Sequence, residues 1–289
     1  MIKKLTKSII HRILDKVRES RLKSMLLKIL GDQPSTGYPS FLIKGLHHIK
    51  GLKQIDDFSL SYSNGEWICH IEDLEFSINS TEELLILKEV FINGIYNVSI
   101  NHPFIFVDIG MNVGITSLFF AKNIECKKVV AFEPFQPTLL FARKNLEKND
   151  VAQKIQINEV GLGYPPRTLS INYSEEFKGS VGINGVASYL KGKKDMREEK
   201  LTIMDVFEAL NSIVDERIVL KIDCEGSEYE ILQRLNETDL LSRFDIIMIE
   251  WHIKGPCSLR KILLDNNFKV LSMDEHNSNI GMLYAFRNK

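Results

Sequence analysis

Residues 104–114 have the sequence FIFVDIGMNVG, and this stretch decides the fold. Its apolar first half predicts a buried strand that ends at Asp108. Gly110 and Gly114 predict a tight turn in which the backbone approaches a ligand closely, because a Cβ would collide there. A helix is expected to begin near Ile115. The stretch therefore predicts a strand, a glycine turn and a helix, the opening of an α/β nucleotide-binding unit.

The next strand, VVAF at residues 129–132, ends at Glu133. An acid about 20 residues beyond the glycine turn is where a ribose hydroxyl pair is held. A dinucleotide turn needs G-x-G-x-x-G, but Asn112 and Ile115 occupy the second and third glycine positions. S-adenosylmethionine (SAM) carries an adenosine and an amino-acid tail without a pyrophosphate, so this turn favours SAM. An ordinary strand–turn–helix without a ligand is the alternative.

The composition limits the class of protein and the number of domains. The chain has 289 residues, 44% of them hydrophobic and 26% charged, as expected for one large domain with extensions. Its four cysteines form no C-x-x-C pair, which predicts reduced thiols and a cytoplasmic protein. No run of about 18 apolar residues predicts a membrane span, and no signal peptide is predicted.

The N-terminal segment is basic. Residues 1–30 carry nine Lys or Arg against two Asp or Glu, a net of +7, with apolar residues at helical spacing. One interpretation is a weak peripheral membrane contact. The favoured one is packing of the apolar face on the domain or on a second subunit in a homodimer, because cationic residues interrupt the apolar stripe. The rest of the chain is acidic, which argues against a nucleic-acid partner.

Three regions are predicted. Residues 1–55 are a basic helix and a linker, since Gly31 to Gly51 is rich in glycine and proline. Residues 56–100 are a small extension with a hairpin at Asn64-Gly65 and a helix after Ser80. Residues 101–289 form the main domain. Its strands are predicted near 104–109, 129–133, 154–160, 217–223, 244–250, 268–273 and 281–286, and its helices near 115–122, 136–148, 203–211, 227–235 and 258–266.

Residues 164–200 interrupt this alternation with prolines, glycines and lysines. Such an insertion can form extra strands and a mobile flap over the site. A solvated loop without function is the alternative.

The second half adds acids at strand ends. RIVLKID at 217–223 ends at Asp223 and is followed by CEGSE, and IIMIEWH at 246–252 contains Glu250 and His252. In an open α/β sheet ligands bind at the carboxyl ends of the strands. Asp108, Glu133, Asp223 and Glu250 are therefore expected to converge on one crevice.

From about Thr81 onward, the chain resembles the FkbM-type SAM-dependent methyltransferases. The matching segments are 82–84 through 95–96, VDIGMNVG at 107–114, AFEP at 131–134, Asn145 with Asn149, VGLG at 160–163, LKIDCEGSE at 220–228 and IEWH at 249–252. The D-x-E-G-x-E element is the distinctive one. Met111 replaces the small residue usual in the turn, and residues 1–55 lie outside the resemblance.

The resemblance implies a Rossmann-like class I methyltransferase fold with a seven-stranded, mostly parallel sheet and helices on both faces. It implies SAM as the cofactor and a hydroxyl of a small molecule or glycan, a sugar or natural product, as the acceptor. The expected cofactor-binding residues are Asp108, Gly110, Asn112, Gly114, Glu133, Pro134 and Val160.

The expected catalytic residues are His252, Asp223 and Glu250. His252 is the first choice of general base, because an unperturbed pKa near 6.5 leaves neutral imidazole at cytoplasmic pH. A histidine that only hydrogen-bonds its neighbours is the alternative. Asp223 is the second choice of base, or an acid that orients the acceptor or SAM. No metal site is predicted, although Asp223, Glu225 and Glu250 are a set that can bind Mg²⁺.

Two other function classes are alternatives to a methyltransferase. An NAD-dependent oxidoreductase is disfavoured by the two missing glycines. A non-catalytic SAM-fold binding module is disfavoured by the intact glycine turn and by the acids at the strand ends.

Overall fold

The computed structural model describes residues 20–26, 38–174, 178, 181–182, 185–186, 196–213, 217–274 and 279–288. The chain divides into two compact units, Met1–Asn93 and Gly94–Lys289.

The first unit combines short helices with a small antiparallel sheet. Its helices are α1 (Ser40–Lys44), α2 (Leu46–Leu52) and α3 (Thr81–Lys88), and a π-helical turn follows at Glu89–Asn93. The sheet contains β1 (Ser59–Ser63), β2 (Glu66–Ile71) and β3 (Leu74–Ile78) in that order. The predicted hairpin is confirmed: Asn64 and Gly65 both have positive φ, at 52° and 83°, as a type I′ turn between β1 and β2 requires. Ser80 and Glu83 form the capping box that starts α3.

The prediction of an irregular linker is wrong for residues 40–52, which form α1 and α2. The glycines serve close packing here. A Cβ on Gly45 would lie 2.5 Å from Leu84 Cδ1, and one on Gly51 would lie 3.0 Å from Lys88 Cε. Small residues therefore let α1 and α2 approach α3.

The predictions for residues 1–30 fall mainly outside the described residues. Residues 20–26 are helical, and the membrane and homodimer interpretations stay predictions. None of the helices in the described ranges has the length and apolar composition that crossing a membrane requires.

The second unit is built on a seven-stranded sheet. Its strands are β4 (Phe104–Ile109), β5 (Cys126–Phe132), β6 (Ile155–Asn158), β12 (Ile218–Ile222), β13 (Phe244–His252), β14 (Phe268–Asp274) and β15 (Ile280–Arg287). The order across the sheet is β14-β15-β13-β12-β4-β5-β6. Every neighbouring pair from β13 to β6 is parallel, and β15 is antiparallel to both β13 and β14. This is the predicted Rossmann-like methyltransferase sheet, with its last two strands as an edge hairpin.

Helices cover both faces of this sheet, and buried aliphatic side chains of the central strands form the core. They are α4 (Ile115–Lys122), α5 (Gln136–Glu147), α6 (Val206–Leu210), α7 (Glu228–Glu237) and α8 (Cys257–Asp265). The helix predicted near 203–211 begins only at Val206. β11 (Met196–Asp205) continues to Asp205, whose side chain caps α6 by accepting a hydrogen bond from Phe207 N.

The insertion at 164–200 forms the extra strands that the sequence allows. β8 (Arg167–Ser174) pairs antiparallel with β11, and β7 (Gly161–Gly163) pairs parallel with β11. Two short strands, β9 (Val181–Gly182) and β10 (Gly185–Val186), pair with each other. The mobility predicted for this segment stays a prediction.

Candidate active site

A partly open cavity lies at the carboxyl ends of the central strands. Five of the predicted site residues line it: Gly110, Asn112, Glu133, Pro134 and Asp223. The other five predicted site residues, all of them among the described residues, do not line it: Asp108, Gly114, Val160, Glu250 and His252. The insertion supplies Lys178, Val181 and Gly182 as further wall residues, and Leu201 and Ile203 of β11 follow it. The insertion is therefore part of the site and not only a solvated loop.

The glycine turn is fixed by its neighbours. Gly110 has φ +84°, and a Cβ there would lie 1.7 Å from the carbonyl oxygen of Asp223. Both Gly110 N and Met111 N donate hydrogen bonds to Phe132 O. No side chain fits at Gly110, so β4 and the loop after β12 can meet at the cavity floor.

Asn112 carries an unsatisfied acceptor into this region. It adopts φ +52°, and its buried Oδ1 has no hydrogen-bond partner among the described residues. A buried polar atom without a partner is costly unless a ligand or ordered water satisfies it. Asn112 therefore indicates a hydrogen-bond donor on the bound ligand.

Glu133 is held by main-chain amides. Its Oε2 accepts from Asn112 N at 2.9 Å and its Oε1 accepts from Phe135 N at 3.1 Å. Burial raises the pKa of Glu133 to about 7, although these two hydrogen bonds act to lower it. Each carboxylate oxygen keeps a second lone pair, so Glu133 can still accept two ligand hydroxyls.

Asp108 has a different role from the one predicted. It is fully buried, with Oδ2 accepting from Ser117 Oγ at 2.6 Å and Oδ1 from Lys221 Nζ at 2.9 Å. Asp108 is fully buried and does not line the cavity, so direct contact with a cofactor is not supported. Lys221 was not singled out from the sequence, because its place in the apolar run IVLKI gives no sign of its partner on β4.

Asp223 and Glu250 meet at one hydroxyl. Tyr96 OH donates to Asp223 Oδ2 at 3.2 Å and lies 3.4 Å from Glu250 Oε2. The side chains of both acids are about a quarter exposed, at 27% and 25%. Burial and the nearby acids raise the pKa of Tyr96 well above its ordinary value, so it stays a donor. Tyr96 lies far from both acids in sequence, and no local pattern predicts this contact.

His252 is buried among carboxylates. Its Nδ1 lies 3.0 Å from Glu228 Oε1, and its Nε2 lies 3.6 Å from Glu225 Oε1 and 3.9 Å from Glu250 Oε1. Burial lowers the pKa of His252, but the hydrogen bond to Glu228 and the charges of Glu225 and Asp223 outweigh it and raise the pKa to about 10. The assumption of an unperturbed pKa is therefore wrong in this site, and His252 is a cation at neutral pH.

The acids considered for Mg²⁺ contact protein groups. Within the described ranges, no three His, Cys, Asp or Glu side chains are grouped so as to hold a metal ion. Asp223 instead contacts Tyr96 and Lys221, and Glu225 faces His252.

A parallel sheet with one antiparallel strand beside its edge and a glycine-turn cavity at the strand ends define the class I methyltransferase fold. The Methyltransferase FkbM domain matches residues 108–270, more than half of the chain. The chain therefore belongs to the FkbM methyltransferase family.

The chain is also similar in sequence to proteins named as methyltransferases. Methyltransferase sdnD of Sordaria araneosa is 26% identical over 222 residues, which cover 68% of this chain and 85% of that protein. Methyltransferase 1 of Beauveria bassiana is 24% identical over 238 residues, covering 75% and 88%. Among solved structures, Methyltransferase FkbM from Methylobacillus flagellatus is 13% identical with a TM-score of 0.42, covering 86% of this chain and 60% of that one.

Proposed function

We propose that this chain is a SAM-dependent O-methyltransferase. The observation that carries the proposal is the buried Glu133 carboxylate beside the unsatisfied Asn112 Oδ1, both at a cavity bordered by the glycine turn. Glu133 would accept hydrogen bonds from the ribose hydroxyls, and Asn112 would accept one from a donor of the ligand such as its ammonium. When bound, SAM supplies a methyl group already activated on a sulfonium.

The acceptor that we propose is a hydroxyl of a small molecule or glycan, such as a sugar or natural product. A hydroxyl is a poor nucleophile until its proton leaves, so a base within hydrogen-bond reach contributes about 10²–10⁴-fold. The chain's other main task is to hold the acceptor oxygen in line with the methyl group.

We assign the base role to Asp223 in preference to His252. Asp223 lines the cavity and is partly exposed, whereas protonated His252 cannot take up a proton. Tyr96 OH and Lys221 Nζ both approach Asp223 Oδ2. Among the described residues, these contacts leave Asp223 Oδ1 to take up the proton of the acceptor's hydroxyl. Tyr96 OH has a single proton, which Asp223 and Glu250 would share, so Glu250 would act on Asp223 only indirectly.

Methyl-labelled SAM tests the proposal. The purified full chain is incubated with labelled SAM and an extract of its own cells, and the label is located by mass spectrometry. Label is expected in a methyl ether of a hydroxyl-bearing small molecule or glycan. Label only in protein or nucleic acid, or none, would contradict the proposal. Labelling that EDTA abolishes and Mg²⁺ restores would favour the metal alternative.

A further inference from the structure

Lys221 occupies a position that an apolar residue would ordinarily fill. It lies within β12, opposite Asp108 of β4, and its side chain is 2% exposed. The other four residues of β12 are buried and aliphatic. A buried ammonium is tolerated only where its charge and donors are satisfied.

Its ammonium group lies close to three oxygen atoms. Nζ donates to Asp108 Oδ1 at 2.9 Å and to Gly110 O at 2.7 Å, and it lies 3.5 Å from Asp223 Oδ2. Burial lowers the pKa of Lys221, but the charges of Asp108 and Asp223 outweigh it and hold the pKa above its ordinary value. Lys221 is therefore a cation that donates two hydrogen bonds and forms an ion pair with Asp223.

Two of these partners line the cavity on different strands. Gly110 belongs to the turn after β4, on the side of the proposed cofactor contacts, and Asp223 is the proposed base after β12. Asp108 does not line the cavity and accepts a hydrogen bond from Ser117. The Asp108 carboxylate thus binds the ammonium, which in turn contacts both cavity-lining groups.

We propose that Lys221 is a positioning residue that fixes the glycine turn and Asp223 relative to each other. This inference rests on the proposed function. The Gly110 peptide is tied on one side by the hydrogen bond from Gly110 N to Phe132 O and on the other by Lys221. With Lys221 in place, the turn that borders the methyl donor and the acid that faces the acceptor form one rigid unit, which in-line transfer requires.

The test compares Lys221→Met with Lys154→Met in the full chain. Lys154 is a matched control, because its ammonium also binds main-chain carbonyls, Ala121 O at 2.9 Å and Asn123 O at 3.2 Å. Hydrogen exchange without any ligand should accelerate by about tenfold or more in both 108–114 and 222–227 for Lys221→Met, and in neither for Lys154→Met. SAM affinity, measured by calorimetry, should fall by about tenfold or more only in Lys221→Met.

A second variant separates positioning from stability. Lys221→Met combined with Asp108→Asn removes both buried charges, so its thermal midpoint should recover toward that of the wild type. The fast exchange at 222–227 and the loss of methyl transfer should persist. This pair carries the test if Lys221→Met alone does not fold.

The outcomes are distinct. Unchanged exchange in the two segments of Lys221→Met, or recovery of methyl transfer together with stability in the double variant, would overturn the role of Lys221. Wild-type protein that does not bind SAM would instead overturn the proposed function.

Discussion

The two halves of the cavity are built from different contacts. Around β4 and β5, Glu133 is held by the main-chain amides of Asn112 and Phe135, which are 21 and 2 residues away. Around β12 and β13, Asp223 and Glu250 are held by Tyr96, which is 127 and 154 residues away. The first half depends on main-chain donors, and the second on a side-chain donor that is distant in sequence and brought near by the fold.

This difference has electrostatic consequences. Glu133 has no cation within hydrogen-bond distance among the described residues, and burial raises its pKa to about 7, so its charge responds to pH and to a ligand. His252 lies among several carboxylates, and its pKa rises to about 10, so its charge is fixed at neutral pH. Of these two groups, Glu133 beside β5 is therefore the pH-sensitive one, and His252 of β13 keeps its charge at neutral pH.

The largest expected effect is on turnover. Asp223→Asn should lower methyl transfer by about 10²–10⁴-fold while SAM affinity changes little, because the base is lost and the Glu133 contacts remain. Asp245→Asn, near the amino-terminal end of β13 and 3.8 Å from Arg217, is the control and should keep wild-type turnover. Transfer from labelled SAM into the cell extract is the measurement. Near-wild-type turnover in Asp223→Asn would remove it from the mechanism.

The next effect is on cofactor affinity. Glu133→Ala should weaken SAM binding by about 1.5–3 kcal/mol, because the ribose hydroxyls lose a charged acceptor. Glu159→Ala is the matched control: that glutamate is 45% exposed and pairs with Arg143 on the surface. Calorimetric titration with SAM measures the affinity of each variant. Equal affinities would mean that Glu133 does not contact the ligand.

The pH dependence of SAM binding follows from Glu133. The ligand hydroxyls favour the ionised carboxylate, so SAM affinity should rise with pH up to about 7 and level off above it. Below that pH it should fall by up to about tenfold per unit, with proton release on binding near neutrality. Titrations in buffers of different ionisation enthalpy measure this release. A pH-independent affinity would show that the carboxylate does not change charge on binding.

The same shift has the opposite sign for folding. Because the pKa of Glu133 in the folded protein lies above its ordinary 4.5, the folded form keeps the proton between pH 4.5 and about 7. The contribution of Glu133 to stability therefore falls as the pH rises through this window, and Glu133→Ala should lose that dependence.

The smallest effect on turnover is expected at His252. His252→Gln should lower turnover by less than about tenfold, well short of the loss for a removed base. Its main effect should be on stability, because Glu228 loses a charged hydrogen bond worth about 1.5–3 kcal/mol. Since the folded pKa of about 10 lies above 6.5, this stability is fully present below pH 6.5 and is lost as the pH rises toward 10.

Thermal unfolding measured from pH 6 to 10 should show this loss of stability in the wild type. The loss should be absent in His252→Gln. A turnover loss as large as that of Asp223→Asn, with the ascending limb of the pH profile missing, would restore His252 as the base.

What could be predicted from sequence follows the same division. The glycine turn, Glu133 and the strand positions depend on periodicity and on residues close together, so local patterns predict them. The pKa of His252 and the roles of Asp108 and Lys221 depend on partners across the sheet, which no spacing in one sequence identifies. The sequence does not predict the helices at 40–52, because helices that contain glycine for close packing have a composition similar to that of a linker.

The central claim is that the cavity at Gly110, Asn112 and Glu133 binds SAM. Its most direct test is calorimetric titration of the full wild-type chain with SAM and, separately, with NADH. We expect saturable binding of SAM at one site per chain and no measurable binding of NADH. Binding of NADH without binding of SAM would contradict the proposed SAM site and restore the oxidoreductase alternative.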